Sequence, residues 1–127
     1  MLHQFRNVDT DDPIGGVTTP AVGDLISVAL PTITTPAHGC LAVAVQIYSD
    51  NSDDVTGATL NGETGGTWTK AGELLGITGG PDGGLAVFVA EMPTAGTISG
   101  GSVNPNPTTP VNSVSLRFGF FLRGKPV

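Results

Sequence analysis

Residues 40–49 read CLAVAVQIYS, in which bulky apolar side chains alternate with small or polar ones. Successive residues of a strand point to opposite faces, so this alternation separates the segment into two sets. The bulky set is Leu41, Val43, Val45 and Ile47, and the other set is Ala42, Ala44, Gln46 and Tyr48. The pattern predicts a central strand of a β-sheet, with the bulky set facing the core.

Two further segments show the same kind of strand. Residues 84–92, GLAVFVAEM, read as a buried strand, and residues 113–123, SVSLRFGFFLR, alternate cleanly. The apolar set of the last segment is Val114, Leu116, Phe118, Phe120 and Leu122, opposite Ser113, Ser115, Arg117, Gly119, Phe121 and Arg123. Such alternation is typical of an antiparallel sheet with one apolar and one polar face. Phe121 breaks the polar set: it meets either a partner protein or a second packed sheet, and we favour the second sheet.

The composition favours an all-β chain. Of 127 residues, 39% are hydrophobic and only 13% are charged, while glycine (19) and proline (10) are frequent. Strand-forming segments are separated by turn-forming ones such as DNSDD (50–54), GGPDGG (79–84) and NPNPTTP (104–110). About seven to eight strands at this spacing predict a single antiparallel β-sandwich, jelly-roll or immunoglobulin-like. From its strands we expect a core that contains Val43, Val45, Val87, Phe118 and Phe120.

The first 24 residues differ from the rest. They contain two prolines, four acids and the pair Gly15-Gly16, and show no sustained period. We therefore predict an extended N-terminal arm over residues 1–24, with one short edge strand, and a β-sandwich domain over residues 25–127. A free arm can add a strand to a neighbouring subunit and become ordered only when bound. Its apolar side chains, the predicted contacts with a partner, are Leu2, Phe5, Val8, Ile14 and Val17.

Charge and targeting signals exclude several classes of protein. The net charge is −6, and five scattered basic residues form no stripe for nucleic acid. No apolar run is long enough to span a membrane, and no secretory signal is evident, so we expect synthesis in a cytoplasm. Cys40 is the only cysteine, which excludes an intramolecular disulfide.

The residues capable of site chemistry are few. His38 and Cys40 lie two apart, but a zinc site needs three or four ligands, and the only other histidine is His3. Asp50, Asp53 and Asp54 offer oxygen ligands to calcium without the spacing of an EF-hand, and a solvated loop is the favoured interpretation. The segment GETGGTWTK (62–70) lacks the Gly-Lys-Ser/Thr ending of a phosphate loop. We expect no cofactor and no enzymatic activity.

The order of the segments resembles a small β-sandwich domain family found in the virion proteins of tailed bacteriophages. The resemblance is carried by PAHG (36–39) before CLAVAV, by GTWT (66–69), by LAVFVAEMPTAGTISGG (85–101) and by LRFGFFLRG (116–124). It spans residues 25–124 and depends on the sequential order, because each motif alone is degenerate. In that family the tryptophan after the turn faces inward. Trp68 is the only tryptophan in a chain with few aromatics, and we predict that it fills the core.

The resemblance implies an architectural or adhesive virion domain. We expect a capsid decoration (cement) protein that binds the major capsid protein and copies of itself, forms homo-oligomers, and resides in the virion after synthesis in the bacterial host cytoplasm. The alternative is an adhesion module at a tail or fibre tip that binds host-surface carbohydrate. That alternative favours exposed aromatics and calcium at the acidic loop.

Overall fold

The computed structural model describes residues 5–24, 28–49, 60–61, 64–74, 83–100, 102–103 and 114–125. Within these ranges the chain is built from strands and contains no helix, which confirms the predicted all-β antiparallel fold. The strands are β1 (Ile14–Gly15), β2 (Ala21–Asp24), β3 (Val28–Ala29), β4 (Ile33–Thr35), β5 (Cys40–Ser49), β6 (Leu60–Asn61), β7 (Thr69–Leu74), β8 (Gly83–Met92), β9 (Gly96–Ile98), β10 (Ser102–Val103) and β11 (Val114–Leu122).

The main sheet has six strands, and the CLAVAVQIYS strand lies at its centre. The order is β1-β11-β5-β8-β7, and β2 also pairs with β11. All of these pairs are antiparallel, and β5 is paired along its whole length with β8. The three segments with the strongest alternation therefore form the middle of the sheet, as their pattern predicts.

The short strands form a second layer. The β4–β9 pair aligns Ile33 with Ile98, and the β3–β10 pair aligns Ala29 with Ser102, so both pairs keep one constant register. The β6–β10 pair and the bridge between Thr64 and Ser99 likewise share a register. Because the registers are continuous, the second layer is one sheet of three interrupted strands. Its strands are β3 followed by β4, β9 followed by β10, and β6 followed by Thr64. This sheet covers one face of the main sheet and completes the sandwich.

The face of the main sheet that lies between the two layers, the inner face, is the one on which β5 carries its small side chains. Ala42, Ala44, Ala86 and Phe88 are fully buried there, together with Ile33 and Ile98 of the second layer. The predicted burial is confirmed for Val43 and Val87, and Val45, Phe118 and Phe120 are half-buried. The bulky set of β5 and β11 does not face the second layer, however, but lies on the opposite face of the main sheet, the outer face.

Small residues occupy the inner face because the second layer approaches it closely. A Cβ atom placed on Gly119 of β11 would lie 2.7 Å from Ile33 Cδ1 and 2.7 Å from Pro31 Cγ. Phe121, two residues further along, is 3% exposed. It packs in the cluster of buried residues between the two layers, which we call the inner cluster and which includes Ala44, Phe88 and Ile33. Phe121 thus packs inside the sandwich, which is the favoured of its two predicted environments.

Trp68 fills the corner where the chain leaves the second layer and enters β7. Its side chain is 2% exposed and lies in the inner cluster. The turn before it depends on Gly65, which has a φ of 81° and whose Cβ position is blocked by the Thr97 carbonyl oxygen. A Cβ atom on Gly66 would lie 3.1 Å from Ile98 Cδ1. The glycines of this turn therefore bring the tryptophan close to β9.

The described part of the predicted arm lies along β11 of its own chain. β1 pairs with Leu122 and Phe121, and β2 pairs with residues 114–117. Between them, Thr18 N–H donates to the Gly119 carbonyl at 2.8 Å, and Gly119 N–H donates to Thr18 Oγ1 at 2.8 Å. The arm is extended, as expected, and it forms two short strands that pair with the chain's own sheet.

Candidate functional site

The outer face of the main sheet is apolar across four neighbouring strand positions. Directly paired residues share a face, so the registers place its members in rows across β1 or β2, β11, β5 and β8. The apolar residues of this face are Ile14, Val22, Leu41, Val43, Val45, Ile47, Leu85, Val87, Val89, Leu116, Phe118, Phe120 and Leu122. Glu91, opposite Leu41, places a carboxylate at one end of the face.

Exposure along the outer face is uneven. At its centre, Val43 and Val87 are buried by the half-buried side chains around them. The row at the Leu116 end is open: Val22 is 67% exposed and Ile47 is 40% exposed, on either side of Leu116. Val22, Leu116, Ile47 and Leu85 form this row, which we call the open row. Exposed apolar side chains that adjoin one another mark sites of protein contact more often than scattered ones do.

The predicted contact residues of the arm fall in different environments. Leu2 lies outside the described residues. Val8 packs against the cluster of buried outer-face residues Val43, Val87 and Leu122 and their half-buried neighbours, which we call the outer-face cluster. Phe5, Ile14 and Val17 are exposed. The backbone between Asn7 and Asp24 donates or accepts at many positions within the chain itself. Donation of these residues as a strand of a neighbour's sheet would require their pairing with β11 to be broken first.

A pocket, the end pocket, opens where the arm crosses the end of β11. It has a volume of about 540 Å³ and is lined by residues 5–8, residues 122–125, Gly39 and Leu41. Hydrogen bonds hold its two walls together, from Lys125 N–H to the Asn7 carbonyl at 2.7 Å and from Asp9 N–H to the Arg123 carbonyl at 2.9 Å. Gly124 and Gly39 touch at its base, since a Cβ atom on Gly124 would collide with the Gly39 carbonyl oxygen. Asn7 turns the arm with a φ of 58°.

The Arg123 side chain binds the arm through an ion pair and two hydrogen bonds. Its Nη1 atom lies 2.6 Å from Asp12 Oδ2 and donates to the carbonyls of Asp12 at 2.9 Å and Ile14 at 3.2 Å. The guanidinium also lies over the Phe121 ring, 5.3 Å from its centroid. Arg6 and Lys125, by contrast, have exposed side chains at the end pocket.

Gln46 is an anomaly of the inner face. It is 0% exposed, and neither Nε2 nor Oε1 has a hydrogen-bond partner. Its direct neighbours in register are Arg117 on β11 and Ala86 on β8. Trp68 Nε1 is likewise buried without a partner. Buried amides without partners are rare, because each costs about 1–3 kcal/mol of stability.

The residues considered for metal chemistry do not converge where they are described. His38 is exposed in a turn, whereas Cys40 is buried in the inner cluster. Among the described residues, no group of three or more histidine, cysteine or acidic side chains is placed to hold a metal ion. His3 and the predicted calcium ligands Asp50, Asp53 and Asp54 lie outside the described residues. The described part of the chain also contains no helix that is long and apolar enough to cross a membrane.

Sequence reasoning missed the end pocket and the open row. The cluster of Arg123 and Lys125 near the C-terminus is visible in the sequence, but its meeting with Arg6 depends on how the arm folds back. The open row was hidden by the assignment of the bulky face to the interior. No family model, curated protein or solved structure matches the chain.

Proposed function

We propose that this chain is a structural virion protein of a tailed bacteriophage, and specifically a capsid decoration protein that binds the outer shell. The observation that carries the proposal is the open row of the outer face. Three strands present Val22, Leu116 and Ile47 side by side at the surface of a small domain. Together with the resemblance of residues 25–124 to phage virion domains, an apolar docking face favours an architectural role.

The open row suits attachment to a flat protein surface. Strands lie about 4.8 Å apart, so Val22 and Ile47, two strands apart, are separated by roughly 10 Å. Val22 and Ile47 lose little conformational entropy on binding, because pairing already fixes their backbone and their β-branched side chains have few rotamers to lose. A contact centred on this row also buries Leu116, which is half-exposed between the two.

The arm takes a different part in this proposal from the one that its sequence suggests. Its backbone pairs with β11, so it contributes exposed side chains, Ile14 and Val17, rather than a strand donated to a neighbour. The partners we propose are the major capsid protein and copies of this chain within a homo-oligomer. The location is the virion, after synthesis in the bacterial host cytoplasm. The carbohydrate-binding alternative favours calcium at Asp50, Asp53 and Asp54, which lie outside the described residues, and exposed aromatics, of which Phe5 is the described example.

The test is cryo-electron microscopy of the phage particle, combined with rebinding to particles prepared without this protein. We expect density for the sandwich on the capsid lattice, with Val22 and Ile47 against a shell subunit. The double variant Val22→Glu/Ile47→Glu is expected not to rebind, because two carboxylates would be desolvated at the contact. The control, Ala95→Glu, adds a carboxylate at an exposed turn away from the outer face and is expected to rebind normally. Density confined to the tail tip, or full rebinding of the double variant, would contradict the proposal.

A further inference from the structure

The end pocket has the size and lining of a small-molecule site. Its volume of about 540 Å³ falls within the roughly 300–1,000 Å³ common for such sites. Leu41, Leu122 and Val8 supply an apolar surface, and all three belong to the outer-face cluster. Apolar surface beside a few convergent polar groups is the usual make-up of a ligand pocket.

The charged residues described in the lining of the end pocket are basic, whereas the whole chain has a net charge of −6. The sequence contains eleven acidic and five basic residues. Three of the basic residues, Arg6, Arg123 and Lys125, line the pocket, and none of the described residues that line it is acidic. Arg123 is paired with Asp12, which leaves the exposed Arg6 and Lys125 to face a ligand. Two cations beside apolar surface select a molecule that has both an anionic group and an apolar body.

We propose that the end pocket binds small amphiphilic anions, in which a carboxylate or similar group is joined to an apolar chain. The anionic group lies between Arg6 and Lys125, and the apolar chain lies against Leu41, Leu122 and Val8. The backbone groups through which the two pocket walls face each other already pair the arm with the end of β11, so recognition inside the pocket falls to side chains. A peptide bound by strand addition is therefore disfavoured relative to a small molecule.

Titration of the full chain with butanoate, hexanoate and octanoate, followed by NMR of the backbone amides, tests this proposal. We expect the shifts to centre on Gly39 and Gly124. Affinity is expected to rise about fourfold for each additional buried methylene until the chain fills the pocket. Octan-1-ol, which has the same apolar length and no charge, is expected to bind about tenfold or more weakly than octanoate.

A pair of charge variants supplies the matched control. Arg6→Gln/Lys125→Gln is expected to weaken octanoate binding about tenfold or more. Lys70→Gln/Arg117→Gln removes the same number of charges from basic residues that do not line the pocket, and is expected to leave octanoate binding unchanged. Equal weakening in both double variants would show only the effect of net charge and would overturn the proposal.

Two other results would also overturn the proposal: the absence of any gain with chain length, or binding of acetyl-Asp-Leu-Asp-Leu-Asp-amide without binding of octanoate. The second would assign the pocket to an acidic protein partner. This proposal stands apart from the capsid role, since the open row and the end pocket lie at opposite ends of β11. Leu116 and Leu122 are six residues apart, which is roughly 20 Å along a strand.

Discussion

At the scale of single residues, two polar side chains are buried in the described part of the chain, Thr35 of the second layer and Gln46 of the main sheet, and only Thr35 has a hydrogen-bond partner. Thr35 is buried and its Oγ1 donates to the Gly96 carbonyl at 3.3 Å, whereas the amide of Gln46 has no partner. Replacing a partnered polar group loses its hydrogen bond, but replacing an unpartnered one removes only a desolvation cost. We therefore expect Gln46→Met, which keeps the length of the side chain, to raise the free energy of unfolding by about 1 kcal/mol.

Thr35→Val is the matched contrast and is expected to lower the free energy of unfolding by about 1 kcal/mol. Urea denaturation of both variants, followed by circular dichroism, measures the two changes. Destabilisation by Gln46→Met would contradict the prediction and would indicate that a buried water molecule or another group satisfies the amide.

Trp68 offers a second comparison at this scale. Truncation of a buried tryptophan to alanine leaves a cavity, so Trp68→Ala is expected to lower the free energy of unfolding by about 3–5 kcal/mol. Since Trp68 Nε1 makes no hydrogen bond, Trp68→Phe loses only packing and is expected to cost less than half as much. Urea denaturation measures both values. An equal cost in the two variants would show that the indole N–H does contribute a bond.

At the scale of the elements, the attachment of the arm to β11 is the contact most open to test. Thr18→Val keeps the shape of the side chain but removes the acceptor of the Gly119 N–H. The loss of this partly buried bond is expected to lower the free energy of unfolding by about 1–2 kcal/mol. Thr19→Val, at the next and exposed position, is the control and is expected to have little effect. Equal stability of the two variants in urea would indicate that the arm is not held by this bond.

The central strands could be predicted from the sequence, but the direction of their faces could not. Alternation shows that two faces of a strand differ, and in β5 both faces are apolar, one bulky and one small. The bulky residues were expected to face the core, yet the residues of β5 that are 0% exposed are Ala42, Ala44 and Gln46. The direction of the faces becomes clear only from the pairing of several strands. The register aligns Ala44 with Phe88 on one side and with Gly119 on the other, and the absence of a side chain at Gly119 leaves room for Ile33 of the second layer.

The arm and the end pocket could not be predicted for a different reason. The arm is held mainly by backbone hydrogen bonds, which leave little trace in the choice of side chains. The pocket joins Phe5 to Lys125, residues from the two ends of the chain, and depends on that pairing. The burial of Trp68 was easier to anticipate, because a single large aromatic in a glycine-rich turn has few other places to lie.

At the scale of the whole molecule, net charge and the apolar outer face act against each other in self-association. Copies of a chain with a net charge of −6 repel one another at low ionic strength, while the open row, which is not covered by a shell subunit in the isolated protein, offers an apolar contact between copies. Salt at about 0.15 M shortens the screening length to about 8 Å and weakens the repulsion, but leaves apolar contact intact. We therefore expect oligomer formation, measured by sedimentation equilibrium, to strengthen as NaCl is raised. Val22→Glu/Ile47→Glu is expected to remain monomeric throughout, whereas Ala95→Glu follows the parent chain. Association that weakens with added salt would show instead that ion pairs between copies hold the oligomer, and the open row would no longer explain it.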